Sequence, residues 1–306
     1  MKNKKPKIQE RINFFLQEKI YFLKFNYRFW QAELQGKERI ILYQMGKVGS
    51  STIFKTFYKL GLDKKFVLHR VYYFTQEGIE FVEKYVGNTY GDFINFPDSF
   101  KNQIWRSSLL KNKLDKNYLK NKKCKIITIV REPISRNISA FFQTLNWFVE
   151  KKEHDFSNKK AYLQEVARCF WEKYPHDIPL TWFDDEPKRA LEIDVFASEF
   201  PKSKGYKIYR GDYADLLLLK LEKLNECSQK VIPEFLGINN FVLDNANVGQ
   251  RKQYADTYTD LLKSIIVPDS YIDKMYDSKY TKHFYSDQEI EVFTQKWLKK
   301  SAKPTN

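Results

Sequence analysis

The chain has 306 residues, of which 42% are hydrophobic, enough for one large domain or two small ones with a substantial core. Lys and Arg outnumber Asp and Glu by 53 to 38, and the net charge of +15 selects anionic partners: a polyphosphate nucleotide, an acidic glycan or a membrane surface. Nucleic acid is disfavoured because no zinc-ligand cluster or RNA-binding aromatic motif accompanies the charge, and Cys124, Cys169 and Cys227, odd in number and widely spaced, argue against a disulfide framework or metal site.

Residues 1–36 form a basic, aromatic segment that reads as a helical extension. Gln17, Glu18, Lys19 and Lys24 interrupt its apolar residues well short of a membrane span, which argues against a signal peptide or anchor helix. A helix packed on the rest of the chain is the simpler expectation, with contact to an anionic lipid surface as the alternative. The expected location is cytoplasmic, peripheral to the inner face of the membrane if that contact is made. Residues 37–306 read as one domain, since neither an internal repeat nor a low-complexity linker divides them.

"ERIILYQM" (Glu38 to Met45) is a short β-branched and apolar run, the pattern of a buried strand. "SSTIFKTFYKLGL" follows with apolar residues at helical spacing and Gly61 as a stop signal. "KKFVLHRVYY" (Lys64 to Tyr73) and "KCKIITIV" (Lys123 to Val130) are further strands, each followed by helical patterns, among them "EPISRNISAFFQ" with Pro133 at a helix start. Alternation of this kind predicts a parallel sheet layered by helices, with ligands at the carboxyl ends of its strands. Beyond Glu192, two short strands around a turn are expected, then a Leu-striped helix from about Asp212. The last third reads as three helices, with caps at Ser286 and Asp269.

Between the first strand and its helix lies "QMGKVGSST" (Gln44 to Thr52). A glycine turn there aims free backbone N–H groups and the positive end of a helix dipole at one point, where Gly46 and Gly49 permit tight closure and Ser50, Ser51 and Thr52 add hydroxyls. The nucleotide-triphosphate loop G-x-x-x-x-G-K-[ST] has its lysine after the last glycine, whereas Lys47 precedes Gly49. A second anion motif, "REPISRNIS", follows the third strand: Arg131 is suited to a bidentate phosphate contact, and Ser139 lies eight residues on. Two such motifs suit a nucleotide with separated anionic groups.

"KVGSST" and "VREPISRNISAFF" together resemble the sulfotransferases that use 3′-phosphoadenosine 5′-phosphosulfate. The second motif is most similar to carbohydrate sulfotransferases, which also carry an arginine five residues after the first, as Arg136 stands here. "DSKYTKHFYSDQEI" is similar to the tail of bacterial capsular polysaccharide synthesis proteins, a sulfotransferase-like group. The resemblance implies a three-layer α/β sandwich around a mostly parallel sheet, of the P-loop-like nucleotide-binding type, and transfer of a sulfuryl group to a hydroxyl of a saccharide, an anionic glycan included, without a metal. It implies that Lys47 stabilises charge on the leaving phosphate, that Gly49, Ser50, Ser51 and Thr52 hold the 5′-phosphate, and that Arg131 and Ser139 hold the 3′-phosphate. Arg251 and Lys252 in "GQRKQY" would match a late basic loop. A general base is needed for the acceptor hydroxyl. His69, at the end of the second expected strand, is the candidate, with Glu77 and Glu132 as substitutes. Trp147, Trp171 and Trp182 could stack on sugar rings, although core packing is the commoner use of such residues. A nucleotide-dependent kinase, or an inactive glycan- or membrane-binding protein of the same fold, stays open as an alternative.

Overall fold

The three apolar runs form β1 (Glu38–Tyr43), β2 (Phe66–Val71) and β3 (Cys124–Val130) in a computed structural model of the chain, which describes residues 8–149, 155, 158–244, 259–260, 262 and 265–301. They pair in parallel, with β1 between β2 and β3. The sheet continues through β5 (Ala214–Lys220), parallel to β3, and ends at β4 (Tyr206–Arg210), antiparallel to β5, giving the order β2-β1-β3-β5-β4.

The helix expected from Asp212 is therefore a strand. "ADLLLLK" lies between β3 and β4, where both faces of the sheet are covered and Leu216, Leu217, Leu218 and Leu219 are all fully buried. A continuous leucine run satisfies helical spacing and a two-sided buried strand equally well, and tertiary pairing decides between them. The helix comes later, as α10 (Leu224–Leu236).

Thirteen helices are described. Chain reversal from β1 to β2 uses α2 (Ser50–Lys59), and the path from β2 to β3 uses α3 (Gln76–Tyr90), α4 (Asp98–Lys113) and α5 (Lys116–Asn121). Between β3 and β4 lie α6 (Pro133–Gln143), α7 (Lys159–Lys173), α8 (Ile178–Asp185) and α9 (Pro187–Leu191); α10 (Leu224–Leu236), α11 (Asp269–Tyr276), α12 (Lys279–Phe284) and α13 (Asp287–Ser301) follow β5. Ser286 caps α13 reciprocally with Glu289, each accepting the other's backbone N–H. Asp269 lies inside the first turn of α11, and Pro268 takes the cap position.

The N-terminal helix α1 (Ile8–Leu34) packs one face on the body of the molecule. Phe14 meets Trp105, Phe25 meets His69, and Phe29 is buried beneath the Arg39 guanidinium. Glu33 secures its end by accepting from Arg39, Tyr118 and Lys122.

The path of the chain out of β1 leads to β2 on one side, while β3 lies on the other. Loops leaving β1 and β3 thus diverge and open a crevice at the carboxyl edge, the usual ligand position in such sheets. Both anion motifs stand there.

Candidate active site

The loop after β1 is left-handed at three of four successive residues: Gly46 (φ 80°), Lys47 (φ 60°) and Gly49 (φ 87°). At Gly49 the left-handed backbone and the Leu221 side chain, 2.5 Å from where a Cβ would sit, both disfavour a side chain. Lys47 holds a conformation that costs a residue with a Cβ about 1–2 kcal/mol, so the surroundings must impose it.

Two arginines of the second motif do so. Arg131 Nη1 donates to the Lys47 carbonyl at 2.8 Å. Arg136, buried in α6, donates through Nε to the Gly46 carbonyl at 3.3 Å and through Nη2 to the Met45 carbonyl, while Nη1 reaches the Tyr174 hydroxyl and Asn137 Oδ1. Three consecutive loop carbonyls are thus turned toward guanidinium groups. The amides of Gly46, Val48, Gly49, Ser50 and Ser51 have no acceptor among the described residues, although Val48 and Ser50 are buried. Buried amides without partners, at the start of α2, form a site for an oxyanion.

Arg131 Nε and Nη2 have no partner among the described residues. Its backbone is clasped by Tyr280 of α12, whose hydroxyl accepts from the Arg131 N–H at 3.1 Å and donates to the Arg131 carbonyl at 2.8 Å. Ser139 is half-buried two turns along α6 from the Arg131 end, with no partner for its hydroxyl among the described residues. Lys296 of α13 adds a cation on the same side: its ammonium donates to Ser135 Oγ at 2.8 Å, and burial lowers its pKa.

Two family models match the chain. That of the sulfotransferase family covers residues 30–180 and contains both anion motifs. Over these residues, just under half of the chain, the sequence matches the sulfotransferase family. A capsular polysaccharide synthesis protein family matches residues 158–286, which brings in Tyr280 and the segment that clasps Arg131. No curated protein and no solved structure matches. The family match makes this protein an enzyme of the sulfotransferase class.

Of the expected site residues, Lys47, Gly49, Ser50, Ser51 and Thr52 lie on the loop after β1 and the first turn of α2, Arg131 is joined to that loop through the Lys47 carbonyl, and Ser139 lies further along the helix that follows Arg131. His69 is elsewhere. It lies inside β2, opposite Ile41 of β1, and packs against Phe25 of α1 with Nε2 3.5 Å from Arg39 Nη1. Burial, reinforced by Arg39 and Arg106, pushes its pKa down to about 3. A β2 residue two positions short of the strand end faces the α1 side instead of the carboxyl edge, so His69 is not placed to serve as the base.

Glu132 is also occupied, as the N-cap of α6 accepting the Ile134 and Ser135 amides, and it receives the Tyr276 hydroxyl at 2.9 Å. Glu77 is exposed and faces Arg189 at 4.0 Å, on a separate cavity lined by Glu186 and His176. Glu186 is itself consumed by Tyr43, Thr75 Oγ1 and the amides of Phe74 and Thr75, and His176 by Tyr271 and the Phe170 carbonyl. Arg251 and Lys252 lie outside the described residues.

Trp182 is a core residue whose Nε1 donates to the Tyr72 carbonyl, and Trp171 stacks on His176. Trp147 alone of the three lines the cleft beside Lys47. That cleft, of about 440 Å³, also has walls of Tyr72, Tyr73, Tyr85 and Phe100. Among the described residues no group of three or more His, Cys, Asp or Glu is placed to hold a metal ion.

Proposed function

We propose that this sulfotransferase moves a sulfuryl group from 3′-phosphoadenosine 5′-phosphosulfate to a saccharide hydroxyl. The observation that carries the reading is the double brace. Arg131 and Arg136 hold the carbonyls of residues 45–47, so the two anion motifs form one site and the loop amides stay free.

The donor supplies the activated sulfuryl group, and the chain supplies position and charge. Amides of Gly49, Ser50 and Ser51, with the hydroxyls of Ser50, Ser51 and Thr52, fit the 5′-phosphate. Arg131 and Ser139, with Lys296 nearby, fit the 3′-phosphate. Lys47, which lines the cleft, would stabilise negative charge as it builds on the leaving phosphate. In-line transfer breaks the sulfur–oxygen bond to the 5′-phosphate as the acceptor oxygen bonds to sulfur, with the hydroxyl proton lost to water in the cleft, and preorganised donors carry most of the rate enhancement. The aromatic walls of the cleft suit the apolar faces of a sugar ring, and the match to a capsular polysaccharide synthesis family supports a saccharide acceptor, in keeping with the surface polysaccharides of bacteria.

Calorimetry of 3′-phosphoadenosine 5′-phosphate against ADP with magnesium tests the donor assignment. Tight binding of the former is expected; preference for ADP would overturn it in favour of a kinase-like nucleotide site.

A further inference from the structure

Among the described residues, the cleft beside Lys47 is lined by four cationic side chains, Lys47, Arg70, Arg106 and Arg136, and by no Asp or Glu. Acid is segregated into the neighbouring cavity of about 390 Å³, whose lining includes Glu77, Asp177, Asp185 and Glu186. Arg136 is spent on the loop. The other two arginines are not: Arg106 makes one long bond, 3.4 Å to the Arg70 carbonyl, and Arg70 lies over the Phe54 ring at 5.0 Å without a hydrogen-bond or carboxylate partner among the described residues. Arg70 and Arg106 also line the cavity between β2 and α1, and guanidinium groups without carboxylate partners are suited to an oxyanion that accepts forked N–H pairs. Asn102, Gln103 and Gln143 add amide groups of the kind that bind sugar hydroxyls.

We infer that the acceptor is an acidic saccharide whose carboxylate or ester oxyanion is held by Arg70 and Arg106 while a hydroxyl of the same chain meets Lys47. This deepens the sulfotransferase reading and rests on it. The test measures binding of dextran, carboxymethyl dextran and dextran sulfate to the protein saturated with 3′-phosphoadenosine 5′-phosphate at physiological salt. Stronger binding of an acidic polymer than of dextran is expected, and the two acidic polymers distinguish carboxylate from sulfate recognition. Arg70→Gln with Arg106→Gln should weaken acidic binding roughly tenfold, whereas the exposed control Lys230→Gln should change it by about twofold or less. Equal binding of dextran, no binding of any polymer, or equal losses in control and double variant overturns the inference. Loss of nucleotide binding in the double variant also overturns it, by moving the arginines to the donor. Absence of nucleotide binding in the unaltered protein would instead count against the sulfotransferase donor site.

A second surface stands on a separate observation. The outer face of α1 exposes Leu16, Ile20, Leu23, Tyr27, Trp30 and Leu34 at alternating spacings of four and three, and Ile8, Ile12 and Phe15 widen this stripe. At 3.6 residues per turn the nine cover about 140° of the helix, broader than the narrow seam of a two-helix coil. Lys19 and Lys24 stand within and beside it, and residues 1–7 contribute four more lysines in sequence. A broad apolar face with cations at its border fits an anionic lipid surface. We propose that α1 rests on such a surface, its other face remaining packed on the enzyme. Co-sedimentation with vesicles of phosphatidylglycerol and phosphatidylcholine, compared with phosphatidylcholine alone, is the assay. Binding to the anionic vesicles should disappear in the variant Leu16→Ser, Leu23→Ser, Trp30→Ser, all exposed positions. No binding, binding that survives the triple change, or a dimer in light scattering that the same change dissolves without any vesicle binding would overturn it.

Discussion

Lys47→Gly and Lys47→Ala separate the chemistry of the lysine from the conformation of its backbone. At φ 60° a residue with a Cβ incurs about 1–2 kcal/mol relative to the right-handed region, and alanine keeps that cost while glycine removes it. Glycine returns about 0.5–1 kcal/mol through the greater freedom of its unfolded chain. The net expectation is that Lys47→Gly is more stable than Lys47→Ala by on the order of 1 kcal/mol. Both variants lose the ammonium group, and loss of one preorganised donor to an oxyanion typically lowers kcat by roughly 100- to 1000-fold. Affinity for the product nucleotide should fall much less, because the loop amides and Arg131 are retained. Urea denaturation read at constant m-value gives the stability difference, a sulfuryl-transfer assay gives kcat, and calorimetry gives the nucleotide affinity. Equal stabilities would refute the strain; near-normal kcat in either variant would refute the catalytic placement of Lys47.

Arg136→Met should destabilise the fold by about 3 kcal/mol, because it strips charged donors from the Met45 and Gly46 carbonyls, and the nucleotide should then bind weakly even to the folded fraction; unchanged midpoint and affinity would remove the brace. Lys296→Ala is expected to weaken 3′-phosphoadenosine 5′-phosphate several-fold while affecting adenosine 5′-phosphate little, and equal losses for both would place Lys296 outside the 3′ site. Burial alone would raise the Glu33 pKa, but hydrogen bonds from Lys122, Tyr118 and Arg39 outweigh it and bring the value from 4.5 to about 2. The folded value is the depressed one, so its contribution is complete above pH 4.5 and is lost as pH falls toward 2, about 1 kcal/mol after solvent screening. Glu33→Gln should flatten stability in that window, and an unchanged acid limb would contradict this. Burial pushes the Cys124 thiol up to about 12, so native protein should resist maleimide at that position until it is unfolded; rapid native labelling of Cys124 would show that β3 is not closed.

β1, β3 and the two anion loops are readable in sequence because continuous apolar runs ending in Gly or Arg-Glu-Pro admit few other structures. β5 is not, since "DLLLLKLEKL" fits a helix stripe as well as a doubly covered strand, and only the positions of β3 and β4 remove the ambiguity. His69 fails for a related reason. Sequence places a residue near the end of a strand to within two or three positions, whereas pairing with Ile41 fixes which face it takes and puts α1 against it. Tyr280 and Lys296 reach the Arg131 site from helices about 150 residues away in sequence, a proximity with no local signature. The similarity of "DSKYTKHFYSDQEI" to a polysaccharide-synthesis tail was the one available pointer, and it indicated the segment without its role.

The arginines have a mechanical role that the motif alone does not reveal. Bidentate phosphate binding would use two donors of Arg131, yet one of its nitrogens already holds the Lys47 carbonyl. In the proposed donor complex Nε and Nη2, which have no partner among the described residues, would bind the 3′-phosphate while Nη1 fixes the peptide of Lys47. Ordering of Arg131 by the 3′-phosphate then favours the same loop conformation that presents the amides to the 5′-phosphate. A donor lacking the 3′-phosphate would hold Arg131 less firmly in its contact with the Lys47 carbonyl, so discrimination against it should appear in kcat as well as in affinity. If adenosine 5′-phosphosulfate were turned over with undiminished kcat and only a raised KM, Arg131 would be acting through binding alone and the link through the Lys47 carbonyl would be mechanically idle.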